Sequence, residues 1–343
     1  MSLEALLSDI REQPEVLGKH ASLIEQVIEI VKKIDRSNGY VLTGIATSYF
    51  SLQPVGTMLR KIGKFNGQLT NTADLLDYDY PISKDRRPLF VVSRSGESAE
   101  IIRLVQTISP EREVVAITEN AASPLAQRAN YMCQFYAREQ AFTNTKSFTL
   151  SLAYALGLAI GLGYDFPLKT REWVGMLVDA LNETMNRWSH AERVASTLVG
   201  KQVILIEAQG HLTGIANQAA LDFQELRIPS IPVTGGIFRH GSIELTARND
   251  ASTLVLVPGD ETAWRKVRLI RELHANNSSV AAVVSENIRL PESIPAIYVP
   301  DLIAELQPVV YAFAMHMIYS SYINLKGLQQ IKPSLVDKVT RKE

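Results

Sequence analysis

The sequence has little cysteine and no marked excess of charge, and each shortage excludes a class of protein. A single cysteine among 343 residues excludes a disulfide framework within the chain and a zinc site built on cysteines. That residue, Cys133, lies in the apolar run 131–135, which predicts a buried structural thiol. The formal net charge of −1 indicates neither nucleic acid nor an anionic membrane as a partner.

Long apolar runs are also missing, although the stretch 147–164 carries no charge. It contains serine, threonine and three glycines within 18 residues, whereas a membrane-spanning helix needs about 20 predominantly apolar residues. We therefore predict a helix of the protein core and no membrane partner. The acidic N-terminal segment does not resemble a signal peptide, so a cytoplasmic location is expected.

Short β-rich runs alternate with longer helical patterns, which predicts an α/β fold of parallel sheets flanked by helices. Strands are predicted at 40–45, 89–93, 113–118 and 131–135, and again at 203–206, 254–257, 280–284 and 297–299. Helices are predicted at 48–62, 98–108, 145–162, 213–226 and 302–325. Apolar residues at spacings of three, four and seven predict one N-terminal helix over 3–34.

The two series of elements are separated by a nearly constant offset. Gly210 lies 163 residues after Thr47, and Val280 lies 166 residues after Val114. This regularity predicts an internal duplication. The resulting organisation is an N-terminal helical segment at 1–36, domains at 37–165 and 195–325, and a C-terminal tail at 326–343.

A serine-rich turn (residues 93–98, SRSGES) follows one predicted strand and begins a helix. Ligands of parallel α/β sheets bind beyond the carboxyl ends of the strands, where the unpaired N–H groups of the next helix favour an anion. Ser93, Ser95 and Ser98 offer three hydroxyls, whereas capping a helix needs one. Arg94 adds a positive charge to the turn unless its side chain points outward. The turn is therefore a candidate phosphate site.

A second hydroxyl pair (Thr47 and Ser48, here the threonine turn) follows the first predicted strand in the same way. Two such turns at neighbouring strand ends could converge on one phosphate. The second repeat carries Asp260 and Glu261 where the first has serines, and these would repel an anion. We therefore expect one phosphate site per chain. The alternative is that the hydroxyls only cap helices.

These turns, together with Glu139 and the segment 145–149 (TKSFT), resemble the sugar isomerase (SIS) family. More narrowly, they resemble the isomerase half of glucosamine-6-phosphate synthase and its two-domain relatives, over roughly residues 40–343. The resemblance implies two tandem SIS domains with the sugar-phosphate site in the first, and no metal or cofactor. By motif match, phosphate would be bound by Ser48, Ser93, Arg94, Ser95 and Ser98, and the sugar by Thr47 and Asn144.

Three residues further along match the chemical groups of that family. Glu225 matches a glutamate that moves a proton between the first two sugar carbons. His240 matches a histidine that opens the sugar ring and that comes from the partner subunit of a homodimer. Lys338 matches a C-terminal lysine that reacts with the open-chain carbonyl. The alternatives are an exposed helix-end glutamate, a solvated histidine and a lysine of a charged tail.

The sequence departs from the synthase in its charges and in its extent. Asp222 stands where the synthase has a lysine near the sugar, and Arg94 stands where it usually has glutamine. A lysine-to-aspartate exchange reverses a charge and favours a substrate with an amine, such as an amino sugar or a sugar–amino acid adduct. No cysteine lies near residue 1, so we expect no glutamine hydrolysis.

The leading hypothesis is an enzyme that processes a small-molecule sugar phosphate. It would open a ketose or aldose 6-phosphate and transfer a proton between C1 and C2, as an isomerase or with amine release as a deaminase or deglycase. The first alternative is a non-catalytic, regulatory sugar-phosphate-binding protein, and the second is a structural dimer module. The combination of Glu225, His240 and Lys338 favours the enzyme.

Overall fold

The structure, a computed structural model, describes residues 2–63, 65–328, 333, 335 and 337–341. The described residues form two parallel sheets. The first consists of β1–β5, at Tyr40–Gly44, Gly67–Asn71, Leu89–Val92, Val114–Thr118 and Tyr131–Gln134. The second consists of β6–β10, at Val203–Ala208, Ser230–Thr234, Ala251–Val257, Val280–Ser285 and Ala296–Val299. The predicted α/β fold is therefore confirmed.

Helices connect the strands and cover the sheets. They are α1–α12, at Leu3–Lys19, Ala21–Lys33, Thr47–Lys61, Thr72–Asp77, Ala99–Thr107, Pro124–Arg128, Lys146–Gly161, Thr170–Met185, Trp188–Leu198, Thr213–Glu225, Ala263–Ala275 and Gln307–Leu325. Short 3₁₀ helices lie at Gly210–Leu212, Ile237–His240 and Ser242–Ala247.

The two sheets have the same strand order, β2-β1-β3-β4-β5 in the first and β7-β6-β8-β9-β10 in the second. The inner strands β1, β3, β6 and β8 are apolar and mostly buried along their length, as a parallel sheet covered on both faces requires. A shared order is what a duplication would produce. The duplication itself and the limits 37–165 and 195–325 remain predictions.

The chain divides into two compact units. The first-sheet unit comprises Val16–Arg138, Lys146–Val174 and Ser334–Glu343. The second-sheet unit comprises Met1–Glu15, Glu139–Thr145 and Gly175–Pro333. The start of α1 and the short loop at 139–145 thus belong with the second sheet, while the end of the chain belongs with the first.

Helix α7 is the core helix predicted for the uncharged stretch. Nearly all of its residues are buried, as expected of a helix that is apolar on every side. It packs against α2, and a Cβ at Gly161 would lie 2.6 Å from the Val31 Cβ, so only glycine allows this approach. Cys133 is 5% exposed, and burial raises the pKa of its thiol to about 12, which confirms the predicted buried thiol. Within the described part of the chain, no helix combines the length and apolarity that crossing a membrane requires.

The single N-terminal helix predicted over 3–34 is wrong, because the structure has two helices that break at His20. His20 Nδ1 lies 2.6 Å from the Val16 carbonyl oxygen, and its Nε2 accepts a hydrogen bond from Tyr136 N at 3.0 Å. The accepting Nε2 requires the proton on Nδ1, which then donates to Val16. The apolar spacing continues across the break, so the pattern could not reveal it.

Among the described residues of the C-terminal region, helix extends as far as Leu325. Helix α12 is almost wholly buried, in agreement with the helix predicted to end there. The described residues of the predicted tail form turns and bends instead of a helical tail. The rest of the tail at 326–343 lies outside the described residues.

Candidate active site

The serine-rich turn connects β3 with α5 in the first-sheet unit. Ser93 Oγ accepts a hydrogen bond from Gly96 N at 3.1 Å, and Ser95 Oγ accepts one from Glu97 N at 3.3 Å. Ser98 Oγ is buried and has no hydrogen-bond partner among the residues that the structure describes. A hydroxyl that accepts a hydrogen bond can still donate its own proton. The turn therefore presents three O–H groups that can donate to an anion at the start of α5.

Gly96 gives the serine-rich turn its shape. Its φ of +66° is left-handed, and a Cβ at this position would lie 2.7 Å from the Ser123 Cβ. Ser123 caps α6 by accepting a hydrogen bond from Ala126 N at 3.2 Å. Arg94 is half-buried, and its carbonyl oxygen accepts from Glu119 N at 3.0 Å. Both ends of the turn are thus anchored to the neighbouring strand–helix connection.

The threonine turn lies at the carboxyl end of the adjacent strand. Thr47 and Ser48 are half-buried at the start of α3. Strands β1 and β3 pair in parallel with Leu42 opposite Phe90, so the two hydroxyl-bearing turns follow neighbouring strands, as predicted. Ala46, just before the helix, has a φ of +47°, which is strained for a residue with a side chain. Backbone strain of this kind clusters at ligand sites, which agrees with a binding role.

The chain's last described residues, 337–341, lie against the serine-rich turn in the first-sheet unit. The Thr340 carbonyl oxygen accepts a hydrogen bond from Ala99 N, the first residue of α5, at 2.9 Å. The Arg341 guanidinium lies 3.7 Å from a carboxylate oxygen of Glu97. Lys338, half-buried, is part of the same segment. The structure thereby brings the segment that carries Lys338 to the turn.

A second polar group lies in the second-sheet unit, at the end of α10. Glu225 is half-buried, and Thr143 Oγ1 lies 3.5 Å from its Oε2. The Tyr319 hydroxyl lies 3.3 Å from Thr143 Oγ1. The Tyr319 ring packs edge-on against Phe223, with the ring centroids 5.6 Å apart. Glu225 is therefore held at the border of a packed helix pair, beside hydroxyl groups.

Asp222 lies one helical turn before Glu225 and is 2% exposed. Its Oδ1 accepts a hydrogen bond from Gln218 Nε2 at 2.7 Å. Burial raises the pKa of Asp222 well above its ordinary value; the nearby carboxylates of Glu225 and Glu139 raise it further, and the Gln218 bond opposes them. Burial and the charge of Asp222 also raise the pKa of Tyr319. The neighbourhood of Glu225 is acidic, and Asp222 is buried within it.

The loop at 139–145 carries Thr143 and the half-buried Asn144. Its ends are joined by Glu139, whose Oε1 accepts hydrogen bonds from the backbone N–H of Thr145 and, at 2.9 Å, from the Thr145 hydroxyl. These two hydrogen bonds hold the first and last residues of the loop together.

Asp9, on α1, fixes the middle of the same loop and was missed by the sequence reasoning. Its Oδ2 accepts hydrogen bonds from Gln140 N at 2.9 Å and Ala141 N at 2.6 Å, and the side chain is fully buried. The available signal was a carboxylate on the apolar face of a helix, three residues after Leu6 and beside Ile10. A buried carboxylate requires hydrogen-bond donors, and the loop backbone supplies them.

His240 ends the 3₁₀ helix Ile237–His240 and is exposed. Over the described residues it has no hydrogen bond or ion pair, and nothing joins it to Glu225. Its predicted role from a partner subunit therefore stays a prediction. A search of the same residues finds no group of three or more His, Cys, Asp or Glu that could hold a metal ion.

The corresponding turn of the second sheet is filled by a side chain of the chain itself. Gln307 Oε1 accepts a hydrogen bond from Gly259 N at 3.1 Å and lies 3.1 Å from His211 Nε2. Asp260 Oδ1 accepts from the Thr262 backbone N–H at 2.8 Å and from its hydroxyl. The backbone donor that an anion would use here is already occupied, in keeping with the expectation of a single phosphate site.

Residues 33–159, which include both hydroxyl-bearing turns, match the SIS domain family. The chain is also 25% identical over 322 residues to glutamine–fructose-6-phosphate aminotransferase (isomerizing) of Methanocaldococcus jannaschii, a match that covers 91% of this chain and 29% of that protein. It spans between 45% and 57% of the length of the other curated relatives. The resemblance that the motifs predict is therefore confirmed.

Two solved structures show how far the fold is shared. Glucosamine-6-phosphate deaminase from Thermotoga maritima has a TM-score of 0.78 at 17% identity, covering 98% of this chain and 100% of that chain. Tagatose-6-phosphate ketose/aldose isomerase from Escherichia coli has a TM-score of 0.76 at 21% identity, covering 97% of this chain and 95% of that chain. The fold of these two structures is thus shared over nearly the whole chain.

Proposed function

We propose that this chain is an enzyme that binds a sugar 6-phosphate, opens its ring and moves a proton between C1 and C2. The observation that carries the proposal is the serine-rich turn, because it presents three hydroxyl donors at a helix N-terminus within the SIS domain. Such a turn binds an anion through hydroxyls and helix dipole together. The proposed phosphate ligands are Ser48, Ser93, Arg94, Ser95 and Ser98.

Glu225 is the proposed base. It would remove a proton from the carbon next to the carbonyl of the open-chain sugar and return that proton to the carbon that carried the carbonyl, while the hydroxyl proton moves to the former carbonyl oxygen. A carboxylate that is half-buried beside the Thr143 hydroxyl keeps access to substrate and has a donor that steadies its orientation. Thr47, Asn144 and Asp222 are the proposed sugar contacts.

His240 and Lys338 complete the proposed chemistry. His240 would transfer the proton that opens the sugar ring, and it would come from the partner subunit of a homodimer. Lys338 would form a Schiff base with the open-chain carbonyl. The hydrogen bond from Ala99 N to the Thr340 carbonyl oxygen supports a role for this segment, because it ties the segment to the proposed phosphate site.

The finer proposal is that the substrate carries an amine, which the enzyme releases as a deaminase or deglycase does. The acidic neighbourhood of Glu225 supports this, since Glu139 and Glu225 carboxylates favour a cationic group over a neutral hydroxyl. With a sugar phosphate that carries no amine, the same proton transfer would give isomerisation alone.

Deuterium exchange tests the proton transfer directly. The protein is incubated in deuterated buffer with fructose 6-phosphate, glucosamine 6-phosphate or a glycated amino acid 6-phosphate, and the products are followed by NMR. We expect deuterium at C1 or C2 with wild type and with the exposed control Glu192→Gln, and at least a hundredfold slower exchange with Glu225→Gln. Unchanged binding with no exchange in wild type would instead support a regulatory protein.

Serine substitutions test the phosphate site. Ser98→Ala should weaken binding of a sugar 6-phosphate by about tenfold, because one charge-assisted hydrogen bond contributes about 1.5–3 kcal/mol in a favourable case. The exposed control Ser196→Ala should change nothing. Calorimetry with sugar phosphates and the matching unphosphorylated sugars checks this, and an equal effect on both ligand sets would contradict a phosphate role.

A further inference from the structure

We propose that Asp222 carries a proton at neutral pH and shares it with Glu225, which makes Asp222 a positioning residue for the proposed base. The proton is a property of the free protein. Only its effect on catalysis rests on the proposed function.

The position of Asp222 leaves its charge uncompensated. The residue is 2% exposed, and in the part of the chain that the structure describes its hydrogen-bond partner is the neutral amide of Gln218, with no cation in contact. A buried carboxylate is stable in its charged form only with a cation or several donors. One amide N–H does not meet that requirement, so a neutral carboxylic acid is the stable form.

The groups that face Asp222 come from three elements, and all of them are acids. Glu225 lies three residues on along α10, where side chains are neighbours about 5–6 Å apart at Cβ. Glu139 faces it from the loop at 139–145, and Tyr319 faces it from α12. Two carboxyl groups in one buried neighbourhood do not both ionise readily, so they bind one proton between them. The more buried group, Asp222, retains it.

The hydrogen-bond donors and acceptors around Asp222 also favour a proton on its carboxyl group. Gln218, likewise 2% exposed, has its Oε1 buried with no hydrogen-bond partner among the described residues. Gln218 Oε1 and the Asp222 oxygens are acceptors, whereas Gln218 Nε2 is the donor between these two side chains. A proton on Asp222 turns one of these acceptors into a donor.

A neutral Asp222 alters the role expected from its sequence. Compared with the lysine of the synthase, a neutral Asp222 lacks the positive charge and adds no negative charge. A protonated Asp222 can donate to the Glu225 carboxylate and hold it in the ionised form that a base requires. Any charge-based attraction for a substrate amine then falls to Glu225 and Glu139, because Asp222 contributes none.

Thermal unfolding of Asp222→Asn as a function of pH tests the proton without any substrate. A carboxyl that holds a proton in the folded state and loses it on unfolding destabilises the protein progressively as pH rises above the ordinary aspartate pKa of about 4. The isosteric amide lacks that penalty. We therefore expect Asp222→Asn to have a higher Tm than wild type, by a margin that widens between about pH 5 and pH 8.

Two further readouts complete the test. The exposed Asp179→Asn should show no such margin, and the infrared band of a protonated carboxyl should be present in wild type at neutral pH and absent from Asp222→Asn. The proposal would be overturned if the Tm difference between wild type and Asp222→Asn stayed the same at every pH and wild type showed no band of a protonated carboxyl. If a sugar phosphate reacts, the pH profile of kcat in Asp222→Asn should lack the alkaline limb that wild type shows. If none reacts, the unfolding and infrared results still decide the proton.

Discussion

The contact between Asp9 and the loop at 139–145 predicts that the N-terminal helix controls the surroundings of Glu225. Asp9 Oδ2 accepts the backbone N–H groups of Gln140 and Ala141, and a hydrogen bond to a charged group contributes about 1.5–3 kcal/mol. Gln140 is exposed and can bond to water after a substitution, whereas the buried Ala141 N–H loses the Asp9 carboxylate as its acceptor. Relief of the buried charge offsets part of the loss, so Asp9→Ala should lower the free energy of unfolding by about 2–4 kcal/mol.

The Asp9 series is measured by urea unfolding and by amide hydrogen exchange. Asp9→Asn keeps the volume and one acceptor but loses the charge, so it should cost about half as much as Asp9→Ala. Exchange at the Ala141 amide should accelerate in both variants, and turnover should fall because Thr143 is carried on the same loop. Glu4→Gln, an exposed change on the same helix, is the control. Wild-type stability and unchanged Ala141 exchange in Asp9→Ala would refute this reasoning.

Three further predictions concern other buried groups. Gly96→Ala should lower the free energy of unfolding by about 2–4 kcal/mol through left-handed strain and contact with Ser123, as measured by denaturant titration. Adding Ser123→Ala should recover part of the loss; no recovery would mean that the contact is not the cause. Lys266→Met should cost about 3–5 kcal/mol, because it leaves buried Glu207 without the ammonium it contacts. Burial already raises the pKa of Glu207, so the stability lost in Lys266→Met should grow as pH rises above the ordinary glutamate pKa. Adding Glu207→Gln to Lys266→Met should restore most of that stability. Unfolding measured at two pH values checks both effects. Cys133 should react with a thiol reagent only after denaturation, since burial raises its pKa to about 12; rapid labelling of the native protein would contradict this.

The sequence predicted every strand of the two sheets except β2 and β7, for a physical reason. An inner strand of a parallel sheet is buried on both faces, so its sequence is an unbroken apolar run such as 89–92. The edge strands β2 and β7 are only partly buried; β2 is largely polar, and β7 contains Pro232, which a central strand would not accept. Nothing in their composition distinguishes them from loops.

The candidate site was predictable where it is local in sequence. The three hydroxyls of the serine-rich turn come from six consecutive residues, and the strand pairing that places the threonine turn beside it follows from the fold. Asp9 and Ala141 are 132 residues apart, so their hydrogen bond exists only in three dimensions. The charge of Asp222 was read from its residue type, whereas its burial, which governs that charge, depends on packing.

Gln307 distinguishes the turn of the second sheet from the serine-rich turn of the first. In the second sheet the N–H of Gly259 already donates to a side chain of the protein itself. Under the proposed function, the serine-rich turn takes its acceptor from solution, so a sugar phosphate should stabilise the first-sheet unit in proportion to the logarithm of its concentration above the Kd. If the protein melts in two steps, added sugar phosphate should therefore raise the temperature of one step and leave the other unchanged.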